Sequence, residues 1–466
     1  MKRILSILFS AVMLTVLFGV LPVVGVSASG KGDYNNDGRI NTSDVREMVR
    51  AVVDGTAPTQ RQVWWCDYNQ DGAVSTSDAR EVLGRSMVSS EAIDYTVTDN
   101  RDCWGERSVA LLGDSISFGA GAEGNLADYA YAGMLKKAFN AKNGSTNYGF
   151  MPAYTTNWSP RSEEVCGWPS ATGGPLANGG WTETDDGNRL MYFGLTAYKQ
   201  YASLTYKLRS GYDFEYVCIY YQTGPSHGSF VVADNRDGLG YDQTEVGASA
   251  PKVYDCENTV NETKRTGFFR VDDFQNGFSI NIVSADNQPV TVTGLGFYND
   301  ITSDMITFNK YTRGGAMLTP LSDKVLSQAA SAGTLIFGLG YNDAFWGHDY
   351  NYTKEMFSDR INYLIAECNK NGTNVVVNDY LWSNYNTLAQ YKAWGAATQA
   401  TIDEKFAFFH EELKRFARET GGIYVNQEAY WGDNVMQYVN ANDGVHPLNR
   451  GHEFMATALL EAMGLA

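Results

Sequence analysis

The sequence has few histidines, few cysteines and a deficit of positive charge. Its 466 residues contain five His and six Cys, and no two cysteines form a C-x-x-C pair. Zinc-ribbon and thioredoxin-like redox sites therefore have no support. The 36 Lys and Arg residues are outnumbered by 53 Asp and Glu residues, giving a formal net charge of −17. A chain this acidic is not expected to bind nucleic acid or an anionic membrane surface.

The cysteines are also scattered, so their spacing assigns no pairs. Disulfides are permitted outside the cell, but Cys218 falls in an apolar run typical of a strand and Cys368 near the end of a predicted helix. We therefore expect mostly free, buried thiols. The six positions are Cys66, Cys103, Cys166, Cys218, Cys256 and Cys368.

Long apolar runs are absent except at the N-terminus. There, Met-Lys-Arg precedes an apolar run from Ile4 to Val26, and Val26-Ser27-Ala28 provides small residues for cleavage. These features predict a secretory signal peptide over residues 1–28 and a secreted, extracellular protein. The run is long enough to span a bilayer, so an uncleaved anchor is the alternative.

Two twelve-residue loops rich in oxygen ligands follow, at residues 33–44 and 67–78. In each loop positions 1, 3, 5 and 9 are Asp, Asn or Ser, position 6 is Gly, and position 7 offers a backbone carbonyl, as Ca²⁺ requires. Position 12 is Asp rather than the Glu of an EF-hand, and the first loop has no room for an entering helix. The predicted calcium ligands are Asp33, Asn35, Asp37, Arg39, Asn41 and Asp44 in the first loop, and Asp67, Asn69, Asp71, Ala73, Ser75 and Asp78 in the second.

A calcium loop with only an exiting helix, duplicated within residues 31–87, resembles the type I dockerin of cellulosomal enzymes. The resemblance implies two structural calcium ions and a cohesin module of a scaffoldin as partner. Loop positions 10 and 11 contact the cohesin in that family. Both repeats carry the same pair there, which also implies docking in two orientations related by a half turn. These positions are Thr42, Ser43, Thr76 and Ser77.

A serine stands at a predicted strand-to-helix turn further along the chain. The apolar run 108–112 leads into Gly113-Asp114-Ser115, and a helical pattern covers about residues 126–141. Such a serine presents its hydroxyl at the carboxyl edge of a parallel sheet, where the helix N-terminus supplies N–H groups for an oxyanion. Alone, the triplet is equally consistent with an ordinary helix cap.

One of the five histidines is suited to act as a general base. His446 follows Asp443 by three residues in a polar loop before the last predicted helix, so the carboxylate can fix the tautomer of the imidazole. His410 lies in an amphipathic helix and His227 in a turn. We expect His348 and His452 to be surface groups.

A third block places an amide at another strand end. Residues 334–338 form an apolar run that leads to Gly340-Tyr341-Asn342-Asp343. An Asn at this position can direct its side-chain N–H at the same oxyanion as the serine turn.

Gly-Asp-Ser, Gly-x-Asn-Asp and Asp-x-x-His-Pro, in this order, resemble the SGNH (GDSL) hydrolase family. The resemblance implies that Ser115, His446 and Asp443 form the catalytic triad. It also implies an oxyanion hole built from the amide of Ser115, the side chain of Asn342 and a glycine N–H. Gly315, after a predicted strand 305–308, is our choice for that glycine, and Gly149 is the rival.

The choice of Gly315 implies a large insertion after the nucleophile. Residues between the serine and glycine blocks contain several strand-like runs with turn punctuation, such as 216–221 and 290–293. We therefore expect an α/β, flavodoxin-like SGNH-hydrolase three-layer sandwich with a parallel sheet, carrying an inserted, jelly-roll-like antiparallel β-sandwich and preceded by the small α-helical dockerin. The expected segments are a dockerin at 31–87, a linker at 88–107, the hydrolase domain at 108–149 and 304–466, and the insert at 150–303.

The sequence thus predicts a secreted serine esterase. The resemblance to a dockerin implies that it removes acetyl groups from plant cell-wall polysaccharide, with acetyl xylan as first choice. Pectin, mannan and peptidoglycan acetyl groups are the alternative substrates, and a non-catalytic carbohydrate-binding component is the alternative of another class. The block around Ser115 is not a Gly-x-Ser-x-Gly elbow, which argues against a lipase. Trp346, Trp382 and Trp431, near strand ends, are candidates for sugar stacking or for packing.

Overall fold

The computed structural model describes residues 26–27, 34–35, 39–40, 42–59, 62, 66, 73–87, 108–153, 170–171, 181–185, 193–206, 214–234, 253–270, 278–301, 306–346, 350–382, 399–431, 435–441 and 443–465. The predicted linker, His348, Cys103 and Cys166 lie outside these ranges.

Nineteen strands and twelve helices lie within the described ranges. The strands are β1 (Val26–Ser27), β2 (Arg39–Ile40), β3 (Ser108–Gly113), β4 (Gly149–Pro152), β5 (Ser170–Ala171), β6 (Trp181–Asp185), β7 (Phe193–Ala197), β8 (Ser203–Tyr206), β9 (Tyr216–Thr223), β10 (Ser229–Asp234), β11 (Val253–Asp255), β12 (Glu262–Arg265), β13 (Phe269–Arg270), β14 (Phe278–Ile282), β15 (Val290–Tyr298), β16 (Thr307–Thr312), β17 (Thr334–Gly338), β18 (Asn374–Asp379) and β19 (Ile423–Asn426). The helices are α1 (Thr42–Asp54), α2 (Thr76–Met87), α3 (Ser115–Phe118), α4 (Leu126–Tyr129), α5 (Tyr131–Asn143), α6 (Asp323–Ala330), α7 (Tyr341–Trp346), α8 (Tyr350–Asn371), α9 (Gln399–Thr420), α10 (Gln427–Trp431), α11 (Val435–Tyr438) and α12 (Asn449–Ala462).

The N-terminal repeats form a pair of helices. Each of α1 and α2 begins in the last three positions of one of the predicted loops, and the two helices pack against each other. Their buried side chains are apolar and include Val45, Met48, Ala79 and Val82. The short strands β1 and β2 pair antiparallel.

A five-stranded parallel sheet forms the centre of the α/β part, in the order β16-β3-β17-β18-β19. The chain moves from β3 to β16 on one side and then crosses β3 to reach β17 on the other. The strand order therefore reverses at β3, and such a switch point opens a crevice at the carboxyl edge of the sheet. This is the doubly wound, flavodoxin-like strand order.

Helices cover both faces of this sheet. Because parallel crossovers are right-handed, the reversal at β3 places α5 on one face and α6, α8 and α9 on the other. The packing agrees, since α5 packs against α12, whereas α8 packs against α6 and α9. Buried strand residues such as Leu111, Ile336 and Val376 fill the core between these layers.

Two antiparallel sheets lie between β3 and β16 in the sequence. One has the order β11-β10-β14-β8-β5; the other has the order β12-β9-β15-β7-β6, with β13 and β4 attached to β9 and β15. Apolar side chains from both sheets, among them Trp181, Phe230, Ile280 and Leu295, form a separate core. The fold class predicted from the sequence is therefore confirmed in its parallel and antiparallel parts.

Two contacts between described residues join the antiparallel sheets to the α/β part. At the first, the ring of Phe150 packs on Tyr220 and on Tyr311 of β16, and its backbone N–H donates to Asn309 Oδ1 at 3.0 Å. At the second, Lys324 in the first turn of α6 donates to the carbonyl of Asn261 at 2.7 Å.

Two element boundaries differ from the sequence prediction. The strand expected at 305–308 runs to Thr312, because the polar side chains of Asn309 and Lys310 bond to neighbouring backbone groups. The single helix expected over 126–141 is divided at Ala130 into α4 and α5, and the N–H of Tyr131 donates to His452 Nδ1 at 3.5 Å.

The four cysteines within the described ranges are free and buried, which confirms the expectation for Cys66, Cys218, Cys256 and Cys368. Among the helices that the structure describes, none combines the length and the apolar character needed to cross a bilayer.

Candidate active site

Three strands end at one level and bring the three sequence blocks together. Gly113 at the end of β3 is paired with Thr312 of β16 and with Gly338 of β17. The segments that follow these residues carry Ser115, Gly315 and Asn342, so all three leave the sheet at the switch point.

The turn that carries Ser115, the predicted nucleophile, is held by its own short side chains, and we call residues 113–119 the nucleophile turn. Asp114 caps α3 by accepting the N–H of Ile116 at 2.9 Å, and Gly119 ends the helix with a φ of 113°. A Cβ on Gly113 would lie 2.0 Å from Ser117 Oγ, so only glycine fits the end of the strand. Ser115 is consequently the first residue of α3, and its side chain is partly exposed.

The histidine closest to Ser115 is His446, which lies in the C-terminal part of the sequence. His446 Nε2 lies 2.9 Å from Ser115 Oγ, and His446 Nδ1 lies 3.0 Å from Asp443 Oδ2. Asp443 Oδ1 also accepts the backbone N–H groups of Val445 (2.8 Å) and His446 (3.0 Å). The structure thus brings the three predicted triad residues into a hydrogen-bonded line, with the carboxylate at one end and the hydroxyl at the other.

Opposing effects act on the Asp443 carboxyl. Burial, the largest single influence, favours the protonated form, but the hydrogen bonds and charge of His446 together lower the pKa of Asp443 below its usual value. Asp443 is therefore in a position to fix the imidazole orientation and to balance an imidazolium.

Asn342 lies beside the nucleophile turn. Its Nδ2 donates to the carbonyl of Ala316 at 3.0 Å and to Asp114 Oδ2 at 3.3 Å. The next residue, Asp343, accepts the N–H groups of Leu318 (2.8 Å) and Thr319 (3.0 Å). The Asn-Asp pair therefore fastens the 313–319 segment to the serine turn.

The two candidate glycines occupy different places. Arg313 N–H donates to Gly113 O at 3.2 Å, so Gly315 follows at the level of the nucleophile turn, with a φ of 72° and no heavy atom within 4 Å of a would-be Cβ. Gly149 pairs with Phe297 in the antiparallel sheet, and its would-be Cβ lies 2.7 Å from Phe308 O. Phe308 is paired with Val109, near the start of β3 and away from Ser115.

A buried polar cluster that the sequence did not indicate lies beneath the serine. The Tyr380 hydroxyl is 2.8 Å from Asp114 Oδ1 and also contacts the carbonyl of Gly338. Ser117 Oγ lies 3.1 Å from that hydroxyl and 2.5 Å from the hydroxyl of Tyr131. Since Tyr380 has only one proton for two acceptors, a proton on Asp114 would complete the cluster.

The pKa of Asp114 agrees with that proton count. Burial raises the pKa of Asp114 to about 7, against the opposing effect of hydrogen bonds from Tyr380 and Ile116. Burial likewise raises the pKa of Asp343 to about 6. Near pH 7 the Asp114 carboxyl is thus partly protonated, whereas the Asp343 carboxyl is mostly ionised.

Two further buried groups position the serine helix from behind. Lys310, on β16, donates its Nζ to the carbonyl of Phe118 at 2.8 Å. His452 is fully buried, contrary to the expectation of a surface group. Its Nε2 lies 3.1 Å from Ala120 O, and burial lowers the pKa of His452 to about 3, so this ring is neutral.

The remaining histidines lie elsewhere. His410 Nδ1 is 2.6 Å from Asp379 Oδ2, and His227 Nδ1 is 3.2 Å from Pro225 O in its turn. The tryptophan candidates for sugar stacking are packing residues, because Trp382 and Trp431 are buried and stack on each other at 4.9 Å between ring centroids. The side chain of Trp346 is outside the described residues.

The calcium loops are described only in part. Asp44 and Asp78, at position 12 of each loop, are fully buried. Asp44 Oδ1 accepts the N–H of Tyr34 at 2.9 Å, and Asp78 Oδ2 accepts the N–H of Ser75 at 2.8 Å, so both carboxylates turn back into their loops. Buried carboxylates in this position suit a Ca²⁺ ion. The predicted ligands that lie outside the described residues are Asp33, Asp37, Asn41, Asp67, Asn69 and Asp71.

The remaining predicted dockerin positions are placed as follows. The backbone of Arg39 is in β2, Ala73 is exposed, and Asn35 Nδ2 donates to Ser43 Oγ at 3.1 Å. Thr42 and Thr76 begin the two helices, and Thr76 and Ser77 are exposed. In the described part of the chain, no three His, Cys, Asp or Glu side chains are grouped to hold a metal ion.

Residues 31–84 match the family model of the dockerin type I domain. They are a type I dockerin. No curated protein matches the sequence, so comparison of the residues after the dockerin rests on solved structures.

A peptidoglycan O-acetylesterase is similar in fold, with 14% identity and a TM-score of 0.51 over 77% of this chain and 91% of that chain. This share exceeds the α/β part alone, so the similarity extends into the antiparallel sheets. Matches with far lower TM-scores include a Slackia heliotrinireducens protein described as an SGNH hydrolase (20% identity, 34% and 85% coverage, TM-score 0.27) and the acetyl xylan esterase of Butyrivibrio proteoclasticus (9%, 63% and 97%, 0.22). At 14% identity the similarity to the peptidoglycan O-acetylesterase concerns the fold alone.

Proposed function

We propose that the dockerin-bearing chain is a secreted, cellulosome-associated serine esterase that removes acetyl groups from plant cell-wall polysaccharide. The observation that carries the proposal is the line of hydrogen bonds from Ser115 Oγ through His446 to Asp443. A hydroxyl, a base and an orienting carboxylate in this order can perform acyl transfer to water without a cofactor.

The first half of the reaction forms an acetyl-enzyme. Ser115 Oγ attacks the carbonyl carbon of the acetyl ester while His446 Nε2 accepts the hydroxyl proton. Asp443 balances the charge of the imidazolium. The tetrahedral intermediate collapses when His446 gives that proton to the departing sugar oxygen, which leaves as a free hydroxyl group.

The second half regenerates the enzyme. A water molecule attacks the acetyl carbonyl, again with His446 as base, and acetate leaves from Ser115 as the proton returns to Oγ. The negative oxygen formed in both halves is stabilised by the backbone N–H groups of Ser115 and Gly315 and by Asn342 Nδ2. For this, Asn342 Nδ2 would exchange its longer hydrogen bond, the one to Asp114 Oδ2, for one to the oxyanion. The position of Gly315 at the level of the nucleophile turn, and of Gly149 in the antiparallel sheet, favours Gly315.

The dockerin indicates where the proposed activity takes place. Two Ca²⁺ ions held by the two loops would order the helices α1 and α2, and a cohesin module would bind at the repeated Thr-Ser pairs. Such a partner implies an extracellular complex. Acetyl xylan is the proposed substrate, because plant wall polysaccharide is what a cellulosomal enzyme meets.

The mechanism is tested by Ser115→Ala and His446→Ala in the full-length protein. Each is expected to lower the kcat of p-nitrophenyl acetate hydrolysis by about 10⁴-fold or more with the melting temperature retained. His227→Ala, which changes a histidine in the turn between β9 and β10, is the matched control and should keep full activity. Near-normal turnover by Ser115→Ala would refute the proposed nucleophile.

The substrate is tested by acetate release from acetylated xylan, glucomannan, pectin and O-acetylated peptidoglycan. The highest kcat/KM is expected for acetylated xylan. A preference for peptidoglycan would retain the mechanism and reject the plant-wall assignment. Absence of hydrolysis of every ester, together with binding to a polysaccharide, would identify a non-catalytic carbohydrate-binding component instead.

A further inference from the structure

Two tyrosines project into solvent from one turn of the antiparallel sheets. Tyr198 and Tyr201 are 50% and 57% exposed, and they flank Lys199 and Gln200 between β7 and β8. We call residues 198–202 the tyrosine turn. Exposed aromatic rings grouped in this way are typical of contact surfaces, because they combine a large apolar face with a polar end.

The backbone at Tyr201 is unfavourable for a tyrosine. Its φ is 65°, in the left-handed region that few side chains adopt. Ala202 N–H donates to Lys199 O at 3.1 Å, which makes Tyr201 the third residue of a four-residue turn. Glycine or asparagine is favoured at such a position. Since the exposed ring gains little from burial, the fold itself gives no reason for tyrosine here.

The tyrosine turn is held rigidly by a neighbouring loop. Tyr198 O accepts the N–H of Asn287 at 2.7 Å, and Tyr201 N–H donates to Ile282 O at 2.9 Å. Gln200 N–H donates to Asp286 Oδ1 at 2.8 Å. The rings therefore start from a fixed backbone, which lowers the entropy lost when a ligand binds.

A series of contacts connects the tyrosine turn to the helix α6. The loop that supports it continues to Pro289, whose carbonyl accepts Gly228 N–H at 2.9 Å, and the 224–228 turn adjoins Asn261. Asn261 O accepts Lys324 Nζ. Lys324 is in the first turn of α6, which leaves the carboxyl edge of the parallel sheet where Ser115 stands.

We infer that the tyrosine turn is a binding site for the polysaccharide chain, separate from the catalytic site. Tyr198 and Tyr201 would stack on sugar rings, and the exposed Lys199 offers a hydrogen-bond donor to sugar oxygens. The net charge of −17 disfavours a polyanionic occupant. The choice of polysaccharide as ligand rests on the proposed function.

The test measures retention of the full-length protein on insoluble acetylated xylan. The double variant Tyr198→Ala/Tyr201→Ala should bind about tenfold more weakly than the wild type, as expected when interface tyrosines are removed. Its hydrolysis of p-nitrophenyl acetate should be unchanged. Tyr129→Ala, which removes another exposed tyrosine, is the matched control for retention. Equal retention of the double variant and the wild type, or an equal loss in Tyr129→Ala, would overturn the inference.

Tyr201→Gly separates ligand binding from a structural role. Relief of the left-handed strain should raise the melting temperature, whereas retention on xylan should fall. A higher melting temperature with full retention would exclude Tyr201 from the site. If the wild type fails to hydrolyse aryl acetate but the double variant still loses retention, the proposed esterase activity is wrong and the binding site stands. A wild type that is not retained on xylan refutes the site.

Discussion

Asp114, directly before Ser115, is a buried carboxyl group. When it is protonated, it can donate a hydrogen bond to the neighbouring hydroxyl group of Tyr380. Its pKa in the folded protein is about 7 and its ordinary value 3.8. Because the folded value is the higher one, the group stabilises the fold fully below about pH 4. That contribution is lost as the pH rises through 7, since the unfolded chain releases the proton first.

We therefore expect Asp114→Asn, which cannot titrate, to gain stability relative to the wild type as the pH rises. Between pH 5 and pH 8 the difference in free energy of unfolding should shift by about 2 kcal/mol in favour of the variant. Urea unfolding at both pH values measures it, with the exposed Asp359→Asn as control. A difference independent of pH would mean that Asp114 is ionised throughout this range.

Asn342 is the side-chain donor proposed for the oxyanion. Asn342→Ala should lower kcat by about 10²–10³-fold with little change in KM, because the lost hydrogen bond forms in the transition state. Asn369→Ala, which removes a surface amide that donates to Glu419 O, should leave kcat unaltered. A fall in melting temperature without a change in kcat would assign Asn342 to fastening Ala316 alone.

Local patterns indicated the residues that meet at the serine, and long-range burial decided the ones that support it. Ser115, Asn342 and His446 each follow a strand or precede a helix with a recognisable signal. His452 gave no such signal, because Tyr131 and Ala120, which bond to its ring, come from a distant part of the sequence. No local sequence pattern around Tyr380 predicts that its hydroxyl group contacts Asp114.

At the level of elements, residues 443–448, which we call the histidine loop, are in direct backbone contact with the loop after α3. Gly121 has a φ of 91°, and a Cβ there would lie 2.2 Å from Pro447 O and 3.0 Å from His446 Cβ. Any side chain would push the histidine loop away from the serine. The separation of His446 from Ser115 thus depends on a glycine in a third segment.

Gly121→Ala is expected to lower kcat at least about tenfold and to reduce the melting temperature, because misplacement of a catalytic group is costly. Gly144→Ala is the matched control: its φ is 64° and the space around a Cβ is open. The control variant should lose about 1 kcal/mol of its free energy of unfolding and should keep its kcat. Equal activity of both variants would show that the histidine loop adapts to the extra methyl group.

The course of β16 explains why one strand was predicted too short. Asn309 and Lys310 are polar residues in the middle of this strand, and a sequence pattern reads such residues as the end of it. Their side chains are satisfied by Phe150 N–H and Phe118 O, which belong to other elements. The hydrophobic periodicity of one segment contains no information about hydrogen-bond partners that come from other elements.

At the scale of the whole molecule, calcium and catalysis are expected to be separable. A chelator should weaken the helices of the dockerin and abolish cohesin binding, because the buried carboxylates of its loops lose their cation. Hydrolysis of p-nitrophenyl acetate should continue at the same rate. Proteolysis with and without chelator, followed by mass spectrometry, would locate the change. Cleavage within 31–87 is the expected result, and equal resistance in both conditions would contradict the calcium assignment.

The pairing of β3 with β16 has a consequence for the order in which the parts of the protein fold. Ser108 and Thr307 are neighbours in the sheet but about 200 residues apart in the chain, so the strand before the nucleophile emerges long before its partner is synthesised. Closing so long a loop is entropically costly and slow. The pairing of Gly149 with Phe297 shortens that loop, because it joins the two ends of the intervening segment. We therefore expect the antiparallel sheets to form first and the parallel sheet to close last, so that esterase activity appears only late in refolding.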